Sequence, residues 1–289
     1  MVFLTVGIVI FSFFFKYFFL SLTDLSGALH TACLNQTPET PYKVFYQALA
    51  CGERPPSSSE ILLLKQLGII HIMVVSGFHI LMLNRVFHLI LRGPFLSLLK
   101  PFFLFAFVMT CQFQLPVVRA WIQSLLLGLN KKCSLQIPKP LTLFLSILIC
   151  LLIFPEKYAS LSLPLSWVAC LGIQLGRNHW SQSCFTYLLI MPVLSSFAAL
   201  SPWTILINCL FAPLIGLILF PLSLLCFFIS DLSFYVDHLW LALLWSGEKV
   251  MPLITNPEPH PLLSLTVLNW FYPLILNLWL VYRWKSSVR

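Results

Sequence analysis

Apolar runs long enough to cross or nearly cross a bilayer recur from one end of the chain to the other. They lie near residues 2 to 20, 67 to 84, 95 to 112, 116 to 130, 140 to 154, 160 to 176, 183 to 200, 203 to 230 and 262 to 282, with 232 to 246 as a shorter candidate. A spanning helix takes about 20 apolar residues, so such runs use most of the 289 residues and leave short connections. The expected fold class is an all-α polytopic integral membrane protein of about 9 to 10 transmembrane helices. Charged residues make up only 9% of the chain, against about a quarter in an ordinary soluble domain, which excludes a soluble enzyme.

Residues 1 to 20 lack a basic leader and carry an apolar run longer than a usual signal-peptide core, so they read as a signal-anchor helix with Lys16 inside it. Residues 21 to 60 form the one long connection, expected as an external loop. Residues 61 to 230 hold the main set of spans and residues 231 to 289 the C-terminal transmembrane helices. The formal charge of +8 becomes informative once placed. With both termini cytoplasmic, Arg85, Arg92, Lys100, Lys131, Lys132, Lys139, Arg177, Arg283, Lys285 and Arg289 fall inside. Fewer basic residues, Lys43, Arg54, Lys65, Arg119, Lys157 and Lys249, fall outside, as the positive-inside rule requires. Cys33 and Cys51 then lie on the side where disulfides persist and are a candidate bridge. The other cysteines show no C-x-x-C spacing, and no metal site or cofactor is expected.

The polar stretch Pro55 to Glu60 should open a helix near Ser59. Pro116, Pro164, Pro192, Pro213 and Pro221 fall in or at the edges of spans. A proline inside a helix frees a carbonyl that only neighbouring protein or cavity water can satisfy. Broken helices of this kind line the cavities of transporters and channels, although simple kinking has the same signature.

Polar residues at membrane depth are costly and mark functional candidates. They concentrate in His71-Ile-Met-Val-Val-Ser76-Gly77-Phe-His79, where His71, Val75 and His79 follow one drifting helical stripe. Three readings compete: a metal site, disfavoured by the eight-residue spacing of the histidines and the lack of a third ligand; a serine nucleophile Ser76 with His79 as base; and helix packing through the small pair Ser76-Gly77. Arg119 heads a span after Pro116, where it must snorkel or face water, a partner or an anionic substrate. Asn208 sits mid-span near Pro213 and Gly216, placed to cap a broken helix or to bond across helices.

The order of these motifs resembles the competence domain of the ComEC family, the inner-membrane DNA channels of natural transformation. In that family a Gly-acidic-Arg turn precedes a helix bearing H-x4-S-G-x-H; here the matching residues are Gly52, Glu53 and Arg54, then His71, Ser76, Gly77 and His79. Val118-Arg119-Ala120 looks like the family's Arg-Ala helix start, and Pro155 like the proline before its Leu-Ser-Phe segment. Leu165, Ser166 and Trp167 are similar to that segment, with Pro164 in place of Gln, and Asn208, Pro213 and Pro221 are similar to its Asn-Leu-x3-Pro helix, with Cys209 in the Leu position. The resemblance covers about residues 45 to 230, making 61 to 230 a competence-type transmembrane core.

It implies a channel for uptake of single-stranded DNA, with His71, Ser76, Gly77, His79, Arg119 and Asn208 along the path and Arg54 and Lys65 at the outer mouth. Family members often carry a soluble OB-like domain and a metallo-β-lactamase-like nuclease domain. Neither is expected here, so the chain is expected not to be an enzyme and a separate nuclease is implied. There is no G-x4-G-K-[ST] phosphate loop, which implies a cytoplasmic motor or strand-binding proteins alongside an external DNA receptor. A homo-oligomer stays open. So do two rival functions, an intramembrane serine hydrolase using Ser76 and His79 and a small-molecule permease.

Overall fold

The computed structural model describes residue 17 and residues 21–73, 77–90, 94–157, 160–194, 203–253 and 266–287, and among these it is helical without strands. The signal-anchor segment, apart from Tyr17, lies outside the described residues. The helices are α1 Thr23–Asn35, α2 Lys43–Tyr46, α3 Ser59–Gln66, α4 Ile70–Met73, α5 Gly77–Ile90, α6 Pro94–Thr110 and α7 Leu115–Lys132. They continue as α8 Lys139–Ile153, α9 Ser162–Leu175, α10 His179–Leu194, α11 Trp203–Pro213, α12 Phe220–Leu225, α13 Leu232–Val250 and α14 Thr266–Ser287. Two π-helical turns interrupt the order, at Gln47–Cys51 and at Leu214–Leu219 between α11 and α12.

Most expected spans coincide with a helix, because each apolar run is bounded by Pro, Gly or a charge cluster. At about 1.5 Å rise per residue many of these helices fall short of the roughly 30 Å hydrocarbon layer. Among the described residues one helical run, Trp203–Leu225, is by itself long and apolar enough to cross a membrane, with mean hydropathy 2.4 over its best window. Leu99–Thr110, Lys139–Ile153 and Ser162–Leu175 are apolar but shorter.

Residues 21 to 60 depart from the expected loop. They hold α1, α2 and a π-turn, because Phe45, Tyr46, Leu49 and Cys51 are buried against the bundle and the segment folds onto it. A disulfide joins Cys33 at the end of α1 to Cys51. The segment closes on Gly52, whose φ of +76° favours glycine, and the Gln114 amide donates to the Gly52 carbonyl. Ser26 Oγ donates to Met109 O at 2.7 Å. His30 Nδ1 lies 2.9 Å from Thr110 O and its Nε2 2.9 Å from Glu53 Oε2. On its other side Tyr46 donates to Asp237 Oδ1 at 2.8 Å, and Phe45 packs on Trp240 with ring centroids 4.6 Å apart. The result is a cap spanning the end of α6 and the start of α13.

The prolines divide by position. Pro116 and Pro164 lie in the first turns of α7 and α9, where a missing N–H costs no helical bond, so these two do not break helices as expected. Pro192 is internal to α10, and Pro213 ends α11 at the π-helical turn. Ser58 caps α3, accepting from Ile61 N at 3.3 Å, which puts the helix start at Ser59. At the opposite end of α7, Asn130 clamps the turn into α8 through paired bonds with Ile137, at 2.8 and 2.9 Å.

Candidate functional site

The expected span over 67 to 84 is not one helix from its first residue. Gly68, at φ +74°, turns the chain between α3 and α4, and a Cβ there would sit 2.5 Å from Thr204 Cγ2 of α11. His71 lies in α4, and its side chain is outside what the structure describes, as is Ser76 altogether. The stripe of His71, Val75 and His79 and the Ser76–His79 pair therefore fall outside the described residues.

Gly77 and His79 open α5 and point to opposite sides of it, because two residues turn a helix by about 200°. On one side α5 meets α7: a Cβ at position 77 would fall on Arg119 Nη2 and stand 3.2 Å from Ala120 Cβ. On the other side His79, fully buried, sets its ring edge-on to Phe220 of α12 at 4.4 Å. Phe220 also meets Phe107 of α6 at 6.1 Å. Between the two, Phe78 lies over Gly216, where any Cβ would strike its ring. Gly77, Phe78 and His79 thus wedge α5 between α7 and the Trp203–Leu225 run. His79 rests among aromatic rings rather than at an open surface.

Arg119 is 1% exposed. It sits one turn into α7 and is buried, whereas Arg54 and Lys65 are exposed. Its Nη1 donates to Gln123 Oε1 at 2.5 Å, and its Nε is buried with no hydrogen-bond partner among the described residues. The ion pairs found among those residues are His30–Glu53 and Lys43–Glu39; no carboxylate pairs with Arg119. Burying a guanidinium costs several kcal/mol unless it is paired or hydrogen-bonded, and among the described residues the Gln123 amide is the side-chain partner it has. Gln123 was not singled out from the sequence, although its i+4 spacing from Arg119 is the signal for such a bond.

Asn208 is half-buried on α11; its Nδ2 donates to Thr204 O at 2.8 Å, while Oδ1 is buried without a partner among the described residues. No hydrogen bond joins it to Arg119 among those residues. The structure therefore brings Gly77 and Arg119 together, with His79 on the far side of α5 and Asn208 apart. Trp167, from the third motif, has a structural role with the Asn277 amide oriented to satisfy both its ends: Trp167 Nε1 donates to Asn277 Oδ1 at 3.0 Å and Asn277 Nδ2 to Pro140 O at 3.2 Å. This bond set ties α9 and α8 to α14.

These features define a class: an apolar helical bundle, clasped at one end by a disulfide-bonded cap, that buries a cation where two helices approach closely over a glycine. The chain belongs to the Competence protein family, whose model matches residues 49–285 and so takes in the whole of this site. Comparison with curated proteins and with solved structures gave no match. Membership identifies a ComEC-type competence membrane domain and gives the protein a role in competence and DNA uptake.

Proposed function

We propose that the protein is a multi-pass channel of the cell's inner membrane that passes one strand of external DNA into the cytoplasm during natural transformation. The observation that carries this reading is Arg119, buried, hydrogen-bonded to Gln123 and facing no carboxylate among the described residues, in a family of competence proteins. A polyanion in transit needs positive charge to offset its phosphates, and a guanidinium offers a planar fork of donors to a phosphate oxygen pair. Arg54 and Lys65, both exposed, suit a first encounter with external DNA. Gly77 leaves the space in which the Arg119 head group sits.

In this reading the chain itself does no bond-breaking. An external receptor delivers DNA, a separate nuclease yields the single strand, and a cytoplasmic motor or strand-binding proteins pull it inward.

The test is entry of labelled DNA into cells deleted for the gene and complemented with wild type, Arg119→Gln or Ser76→Ala, scored as nuclease-protected label in spheroplasts. The proposal expects deletion and Arg119→Gln to leave DNA outside the inner membrane at normal protein levels, with Ser76→Ala retaining uptake. Normal import in the deletion strain would overturn it, and a demand for Ser76 with Arg119 dispensable would point to a hydrolase.

A further inference from the structure

His30 on α1 is 6% exposed, and both of its ring nitrogens face acceptors. Nδ1 stands 2.9 Å from the Thr110 carbonyl oxygen at the end of α6, and Nε2 stands 2.9 Å from Glu53 Oε2. A carbonyl oxygen and an ionised carboxylate offer lone pairs and no hydrogen, whereas a neutral imidazole carries a single N–H. With His30 neutral and Glu53 ionised, one of the two contacts would set lone pair against lone pair around a buried ring. One further proton removes the conflict. It can sit on the imidazole, making both nitrogens donors, or on Glu53, whose O–H would then donate to Nε2. In either arrangement the pair holds one proton more than a neutral imidazole and a carboxylate do.

The surroundings choose between the two. Glu53 keeps 42% of its side chain exposed, and hydration favours the carboxylate. An imidazolium opposite that carboxylate makes a charge-assisted bond, about twice as strong as a neutral one. Among the described residues Glu53 is the charged group within ion-pair reach of His30, and Lys43 pairs with Glu39 instead. Cys33 and Cys51, on the elements beside it, are bonded to each other and do not titrate. Asp24 on α1 and Arg54 next to Glu53 are exposed.

The pair joins two holds on one turn. Ser26 of α1 donates to Met109 O at 2.7 Å, and the Gln114 amide donates to Gly52 O, so α1 and the Gly52–Glu53 turn both grip residues 109–114. Those residues lead into α7, where Arg119 lies one turn on. Gly52 also covers Cys111: a Cβ at position 52 would stand 3.0 Å from Cys111 Cβ, and Cys111 is fully buried.

We propose that His30 and Glu53 form a proton-operated latch, in which an imidazolium bridges Thr110 O and the Glu53 carboxylate and holds the cap on the turn between α6 and α7. Closing the latch takes up a proton and opening releases it. The latch is therefore fully present below the ordinary histidine value of about 6.5 and is lost as pH rises beyond it. Below the ordinary glutamate value of about 4.3 the carboxylate is protonated as well and the ion pair is lost.

The test uses the full chain in lipid nanodiscs with isotope-labelled histidine, the His30 ring signals being assigned by their loss in His30→Gln. Nitrogen chemical shifts report whether each ring nitrogen carries a hydrogen. At about pH 7.5, above the ordinary histidine value, both His30 nitrogens of the wild type are expected to be protonated. In Glu53→Gln the amide can donate to Nε2 while Nδ1–H donates to Thr110 O, so the same contacts form without the extra proton and Nε2 should be bare. A bare ring nitrogen in the wild type would overturn the latch, whatever the variants do. Maleimide labelling of Cys111, mapped by mass spectrometry, reads the cap itself. The ratio of wild-type to Glu53→Gln labelling rates, which cancels the thiol's own rise in reactivity, should grow about tenfold between about pH 6 and about pH 9. A flat ratio would overturn the latch as a hold on the cap. Neither readout involves DNA, so the latch and the channel reading fail separately.

Discussion

The guanidinium of Arg119 occupies the space that a side chain at Gly77 would take. Close approach of α5 and α7 and burial of the charge are therefore one feature. Gly77→Ala should displace the Arg119 head group, since Nη2 is the free end of a flexible side chain, and should reduce DNA uptake at near-normal protein levels. Gly77→Leu should overpack the contact with Ala120 at a cost of about 1–3 kcal/mol and lower the protein level as well. In an Arg119→Gln background Gly77→Ala should add little, because the two changes act on one contact; additive losses in uptake assays would separate them.

The cap should depend on its disulfide. Cys33 and Cys51 are 18 residues apart, and closing a loop of about that length stabilises a fold by about 3 kcal/mol in the chain-entropy account. Cys33→Ser/Cys51→Ser should lose a mobility difference between reducing and non-reducing gels and should accumulate to a lower level, with added protease sensitivity over residues 23 to 54. Identical mobility of wild type with and without reductant would contradict the bond.

Tyr46 gives the cap a pH signature. Burial, then the hydrogen bond and charge of Asp237, push its phenol well above the ordinary tyrosine range. The folded state thus binds this proton more tightly than the unfolded state. Its contribution is fully present below the ordinary value of about 10 and is lost as pH rises beyond it. Tyrosinate absorbance of the purified protein should show one residue ionising only together with loss of the cap. In Tyr46→Phe that step should disappear, and stability at neutral pH should fall by about 1.5–3 kcal/mol, the range for a hydrogen bond to a charged group.

The helix order was legible because apolar run length and its Pro and Gly punctuation are local properties. The start of α3 at Ser59 and the reach of Trp203–Leu225 both follow from them. What each helix faces was less so. Gly77 and His79 read as one polar cluster along the chain, yet the 3.6-residue period sends them to different neighbours. Arg119 was marked by its cost in an apolar run, but its burial needed the packing of α5 on α7. The cap was read as loop because His30–Glu53 and Tyr46–Asp237 join residues 23 and 191 positions apart, and no periodicity encodes such pairs. The turn before α7 was equally hidden. Phe113 takes a φ of +51°, rare for an aromatic residue, and is held there by burial.

The account turns on whether the strand passes Arg119. A photocrosslinking amino acid placed at Gln123, whose side chain accepts from Arg119, and separately at Leu129, 54% exposed at the far end of α7, tests this in cells taking up labelled DNA. The prediction is a covalent adduct to single-stranded DNA at position 123, absent at 129, and lost from 123 in Arg119→Gln. Equal adducts at both positions, or none at 123 while uptake proceeds, would contradict it.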